Sequence, residues 1–100
     1  MSQDVMGANN INNIQYVALM MMVAHHCHLK PGMYTHFIQN VHLYDRHYEI
    51  AKEIISRPSS EEQPILIFEP KSDNFYDFTI DDFRVENYNP QEKIIIPIAI

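Results

Sequence analysis

The sequence predicts an α+β fold, and three observations carry that prediction. A continuous apolar segment runs from Tyr16 to Ala24, inside a stretch of helical length. An alternating segment runs from Phe37 to Tyr44. The second half is divided by prolines into short β-branched and aromatic runs. The order is helix, strand, helix and then several strands. With 100 residues, positions 1–100 make one small domain or a piece of a larger one.

Ser2 to Asn13 is rich in asparagine, carries Gly7 and reads as loop. Asn12 or Asn13 is the expected N-cap of a helix from Ile14 to His28, with Lys30, Pro31 and Gly32 stopping it. Its middle, Val17 to Ala24, is apolar on every face, so this helix should be buried all round.

From about Met33 the chain should be extended. Phe37, Gln39, Val41 and Leu43 take one side as a core face, and Ile38, Asn40, His42 and Tyr44 the other. Asp45 is the expected cap of a second, amphipathic helix, Arg46 to Ser56. Tyr48, Ala51 and Ile55 form its buried stripe, with Ile54 beside them, and Glu49 and Glu53 face Lys52 and Arg57 on the solvated side. Pro58 ends it. Ile65 to Phe68, between Pro64 and Pro70, is a short strand. Thr79 should cap one turn beginning at Ile80. Arg84 to Tyr88 and Lys93 to Ile100 should be the last strands, the latter bulged or at an edge because of Pro97.

A formal net charge of −6 with no basic run argues against non-specific nucleic-acid or anionic-membrane binding. Cys27 is the single cysteine, so no internal disulfide forms, which fits a reducing cytoplasmic setting. Met1-Ser2-Gln3-Asp4 lacks the basic start and apolar core of a signal peptide. The nine-residue run from Tyr16 to Ala24 is far shorter than the roughly twenty residues a membrane span needs. Two glycines leave no glycine-rich phosphate loop.

The polar side of the alternating segment aligns an amide, an imidazole and a phenol at Asn40, His42 and Tyr44. Such a row suits a polyhydroxylated ligand, and it equally suits a strand with one side in water. His25-His26-Cys27-His28 resembles a metal box, but on a helix only His25 and His28 share a face. No metal site is expected, and helix-dipole interaction accounts for histidines at that end. Cys27 lacks visible oxyanion donors for a nucleophile. Met20 to Met22 read as core filling. Asp81 and Asp82 point apart and read as a solvated turn or helix start.

Three stretches together resemble the C-terminal part of thymidylate synthase: Ser2-x-Asp4 with Asn12 and Gln15-Tyr16; His42-Leu43-Tyr44-Asp45-Arg46-His47; and Phe75 to Phe83 with the terminal Ile98-Ala99-Ile100. The resemblance covers essentially the whole chain and about the last third of the family's. It implies the C-terminal portion of that α+β fold, and a family that makes dTMP from dUMP with methylenetetrahydrofolate as carbon donor and reductant. By resemblance, Ser2 helps hold the dUMP phosphate, Asn12 reads the uracil ring, and His42 and Tyr44 bond the deoxyribose 3′-hydroxyl. Asp4 matches the carboxylate that bonds the folate pterin. Ala99 and Ile100 match the tail that closes over both ligands. A carboxamide offers one donor and one acceptor, which is the pattern of uracil; cytosine reverses it.

The departures are specific. The family's catalytic cysteine sits in a Pro-Cys-His segment well before this region, and Cys27 is not its equivalent. The arginine that precedes the serine is here Met1. The family's Gly-x-Pro-Phe is here Ala8-Asn9-Asn10-Ile11, with the glycine displaced to Gly7, and the aspartate two before the histidine is Asn40. The chain therefore reads as ligand-reading residues without the nucleophile. It is expected to be inactive alone and to pair with a second copy through Phe37, Val41 or the Met20–Met22 face. The alternatives are a non-catalytic binding or assembly module of the same fold, and a pyrimidine hydroxymethylase relative, which the carboxamide at Asn12 disfavours.

Overall fold

A computed structural model of the chain describes residues 2–98. The elements run β1 (Ser2–Asp4), α1 (Asn9–His26), β2 (Asn40–His42), a 3-10 turn (Asp45–His47), α2 (Tyr48–Ser56), β3 (Ile65–Phe68), 3-10 turns at Phe75–Asp77 and Ile80–Asp82, and β4 (Phe83–Glu86). The first and second strands pair in parallel, and the third and fourth antiparallel.

α1 begins a turn earlier than Asn12 or Asn13 would start it. Ala8 occupies the N-cap without a side-chain bond. Asp4 supplies the start instead: its carboxylate accepts from the Met6 N–H (3.2 Å) and its carbonyl from the Ala8 N–H (3.3 Å). That turn leads directly into the helix, so the asparagines sit inside its first turns.

The helix also stops earlier than expected, at His26. His28 adopts the left-handed conformation (φ 57°). Its N–H donates to the His25 carbonyl (3.1 Å), and the Leu29 N–H to Ala24 (2.8 Å). This is the two-bond closing motif of a helix end, with histidine where glycine is usual. Lys30-Pro31-Gly32 lies beyond a helix that has already ended.

The apolar core lies between α1 and the β3–β4 ladder. Leu66 pairs with Val85, Ile67 with Arg84 and Phe68 with Phe83. Phe68 stacks on Phe83 (4.5 Å between centroids) and meets Phe78 edge-on (4.9 Å), and His25 closes the cluster edge-on to both Phe68 and Phe78 (5.7 Å each). β3 has the expected bounds. β4 starts one residue before Arg84 and ends at Glu86, where Asn87 turns left-handed (φ 58°). The turn before β4 begins at Ile80 as expected. Asp82 holds it, its carboxylate accepting from the Thr79 N–H (2.9 Å).

Further expectations are corrected. The long strand from Met33 reduces to Asn40–His42, because β1 offers only three residues of partner. Its proposed core face is open: Phe37 is 85% exposed, and Val41 and Leu43 are exposed too. Asp45 caps nothing. The turn at Asp45–His47 leads into α2, whose N-cap is His47; of the expected stripe Tyr48 and Ile55 face outward, as does Ile54 beside them, while Ala51 is half-buried. Its charged side is as expected, with Glu49–Lys52 at 3.2 Å and Glu53–Arg57 at 3.0 Å. Residues 93–98 join no strand; Ala99 and Ile100 lie outside the described residues.

A last correction concerns α1, which is not buried all round. Ile14, Leu19 and Val23 are exposed, and Ala24 is the one fully buried apolar residue among those described. The accessible area is 8301 Å², against about 5,900 Å² for a self-contained chain of this mass. The radius of gyration is 16.3 Å, against about 13 Å for a compact domain of 100 residues. The chain leaves apolar faces of both halves uncovered. None of the described helices is long and apolar enough to cross a membrane.

Candidate functional site

The site is organised by the parallel pairing of β1 and β2, which sets Ser2 opposite Asn40, Gln3 opposite Val41 and Asp4 opposite His42. The Val5 N–H extends the ladder to the His42 carbonyl (3.0 Å). Alternation puts Ser2, Asn40, Asp4 and His42 on one face, and Gln3 and Val41 on the other. Two motifs far apart in sequence are thereby joined.

Asp4 and Tyr44 line a common pocket of about 330 Å³, with Met6, Gly7 and His47 on the same wall system and Ile96 to Ile98 closing it. Gly7 explains how the Asp4 carboxylate fits. A Cβ at position 7 would run into Asp4 Oδ2. The glycine displaced from the family's position therefore makes room for the carboxylate to fold over its own turn.

His47 is 1% exposed. Its Nε2 donates to the Pro97 carbonyl (2.7 Å), and Arg46 Nη1 donates to the Ile98 carbonyl (3.0 Å). The Tyr44 ring meets His47 edge-on at 6.0 Å.

Asn12 lies on the Gln3 side. Its Nδ2 donates to Gln3 Oε1 (3.4 Å), and Gln3 is itself 5% exposed. One such bond leaves the Asn12 amide with a further donor and an acceptor. Of the residues singled out from sequence, Asp4 and Tyr44 share the pocket. Ser2 and His42 stand on the strand pair without lining it, and Asn12 is held through Gln3. Ala99 and Ile100 fall outside the described residues.

The contacts made by Gln3, Gly7 and His47 are not among the sequence-based expectations. Gln3 gave a signal as a polar residue between two site residues, which strand alternation must turn inward. His47 stands in the His42–His47 stretch already noted, but its contact with the Pro97 carbonyl, 50 positions away, leaves no mark in spacing.

The histidines at the end of α1 do more than answer its dipole. His25 Nε2 meets Asp73 Oδ1 (2.9 Å), and His26 Nδ1 accepts from the Phe75 N–H (3.0 Å). They fasten the loop before the Phe75 turn to the helix. Cys27 is exposed at the same end. The 18 residues of α1 span roughly 27 Å, so this thiol lies a helix length from Asp4 and cannot reach a ligand there.

A parallel strand pair joined through a long helix, a second short helix and an antiparallel ladder of aromatics is the α+β arrangement of the thymidylate synthase fold. The structure superposes on the thermostable thymidylate synthase A from Bacillus subtilis with a TM-score of 0.89 and 35% identity, over 99% of this chain and 35% of that one. The family model for thymidylate synthase matches residues 1–100. Thymidylate synthases of Streptococcus suis and Lactococcus lactis subsp. cremoris are 43% and 41% identical over 90 residues, 89% of this chain and 32% of each relative. The chain belongs to the thymidylate synthase family and spans about a third of the length of these relatives.

Proposed function

We propose that this chain carries the ligand-reading part of a thymidylate synthase, a methyltransferase of nucleotide biosynthesis that converts dUMP to dTMP. The observation behind the reading is the register of β1 on β2. It joins Ser2 and Asp4 to the His42–Tyr44 element and turns Asp4 and Tyr44 toward one pocket.

In this reading Ser2, Asn12, His42 and Tyr44 bind dUMP. Asn12 presents a carboxamide donor and acceptor to the uracil edge. A hydroxyl entering a site needs partners to replace water, and the imidazole and phenol supply them. Asp4, Ala99 and Ile100 bind methylenetetrahydrofolate. The Asp4 pocket, about 330 Å³, is at the small end of ligand clefts, roughly 300–1,000 Å³. It suits one flat ring whose N–H groups donate to the carboxylate. When bound, the folate supplies the carbon and the reducing equivalents. This chain's residues orient the rings and exclude water; no thiol stands at the site to attack the pyrimidine.

The setting is cytoplasmic, in keeping with a lone free cysteine. The uncovered apolar faces argue for a homodimer, since the area in excess of a compact chain exceeds the roughly 800 Å² per partner of an ordinary interface.

The test is calorimetric titration of dUMP and of a folate analogue into the chain and its His42→Ala and Asp4→Asn variants. Loss of dUMP binding with the first and of the analogue with the second supports the assignment. Equal binding by all three sinks it.

A further inference from the structure

The segment from Ile94 to Ile98 belongs to no helix or strand. Its side chains hold it only in part: Ile94 and Ile96 are half-buried, while Ile95 is 80% and Ile98 83% exposed. Among the described residues its side-chain hydrogen bonds come from two consecutive residues, Arg46 and His47, to two consecutive carbonyls, Ile98 and Pro97. A carbonyl only accepts, so Nε2 of His47 carries the hydrogen. That imidazole is buried, and its Nδ1 has no partner among the described residues. His47 is thus a fixed post, set by the turn in which its N–H bonds the Tyr44 carbonyl (2.9 Å). The segment so held forms one wall of the Asp4–Tyr44 pocket.

We propose that Arg46 and His47 are positioning residues that clamp Pro97 and Ile98 by their backbone and so fix that wall of the Asp4–Tyr44 pocket. The clamp reads carbonyls rather than side chains, so it holds the segment in place while leaving the exposed Ile95 and Ile98 side chains free to meet a ligand or a partner. Its role in ligand capture rests on the function proposed above; the clamp itself does not.

Two measurements separate these. The first uses no ligand: carboxypeptidase trimming of the intact chain, followed by mass spectrometry at the step that removes Ile98. Arg46→Met and His47→Leu should trim about fivefold faster than the parent, the loss of one net hydrogen bond. His47→Gln, whose amide N–H can replace Nε2–H, should restore the parent rate. A merely structural role for His47 would not be rescued by glutamine. Arg46 is exposed, so Arg46→Met keeps the fold and decides the matter if His47→Leu does not fold. Parent-like trimming of Arg46→Met overturns the proposal.

The second measures dissociation of a folate analogue. Arg46→Met should speed it about fivefold without changing dUMP affinity, while Asp4→Asn should weaken the analogue and leave trimming unchanged. Faster trimming in Arg46→Met with no analogue binding by the parent sinks the functional reading and upholds the clamp.

Discussion

Asp4 and His42 face each other in register across the β1–β2 pair. The backbone ladder, rather than any side-chain contact between them, fixes their spacing. A carboxylate suited to ring N–H groups is thereby held beside an imidazole suited to a hydroxyl.

Purified alone, the chain should form no dTMP from dUMP and methylenetetrahydrofolate. Its only thiol is on the far end of α1 from the pocket. dUMP should bind weakly, because phosphate affinity is dominated by arginine forks and methionine stands where the family places an arginine. Turnover above background that disappears in His42→Ala, or a low-micromolar dissociation constant, would count against this.

Gly7→Ala should dislodge the Asp4 carboxylate, because the added Cβ takes the place of Oδ2. The Met6 N–H bond to Oδ1 would be lost with it, at a cost of about 1 kcal/mol. Urea unfolding should register that loss. Folate-analogue affinity should fall in step, and dUMP affinity should not.

His28→Gly should stabilise the chain. His28 holds a left-handed conformation at the end of α1 (φ 57°), which costs a residue with a Cβ about 1 kcal/mol that glycine avoids. A rise in the thermal midpoint is the expected reading; a fall would show that the imidazole contributes more than its backbone costs.

Glu69 should titrate below an ordinary glutamate. Arg84 forks onto it (2.6 and 3.1 Å), and that hydrogen bonding and charge hold its pKa down and raise that of Arg84. Both groups are exposed, so the contribution to stability is small and screened by salt. A depressed carboxylate stabilises the fold above its unfolded pKa and loses that effect as pH falls through its folded value. In Arg84→Met, NMR titration should find Glu69 back near 4.5.

Phe37→Glu should reduce self-association. Phe37 is 85% exposed and Val41 lies near it on the same uncovered stretch. Light scattering should give a mass above that of one chain for the parent and a smaller mass for the variant. A monomeric parent at high micromolar concentration would show that these faces tolerate water.

The β3 strand and the turn at Ile80 were readable because their signals are local: prolines bound the strand, and the polar Thr79–Asp82 stretch marks the turn. The start of α1 was not, because its cap is a turn closed by Asp4 rather than a residue next to the helix. The extent of β2 is not legible for a related reason. Alternation describes what a strand offers, but its length here follows from the three residues of β1 that pair with it. Family resemblance singles out Asp4 and Tyr44, which line one pocket. The supporting roles of Gln3, Gly7 and His47 are not legible, since each acts by a contact that spacing does not encode.

The parallel pairing has a consequence in time. β3 and β4 meet across a short connection, between positions 68 and 83, and can pair early. β1 and β2 must bring position 4 to position 42 around the whole of α1. Closing the longer loop costs about 0.8 kcal/mol more, and non-local contacts slow the search for the native arrangement. The aromatic half can therefore be formed while Asp4 and His42 are still apart. The half built on β1 and β2 is the late-assembling one, and it is where a refolding chain would be open to capture by a wrong partner.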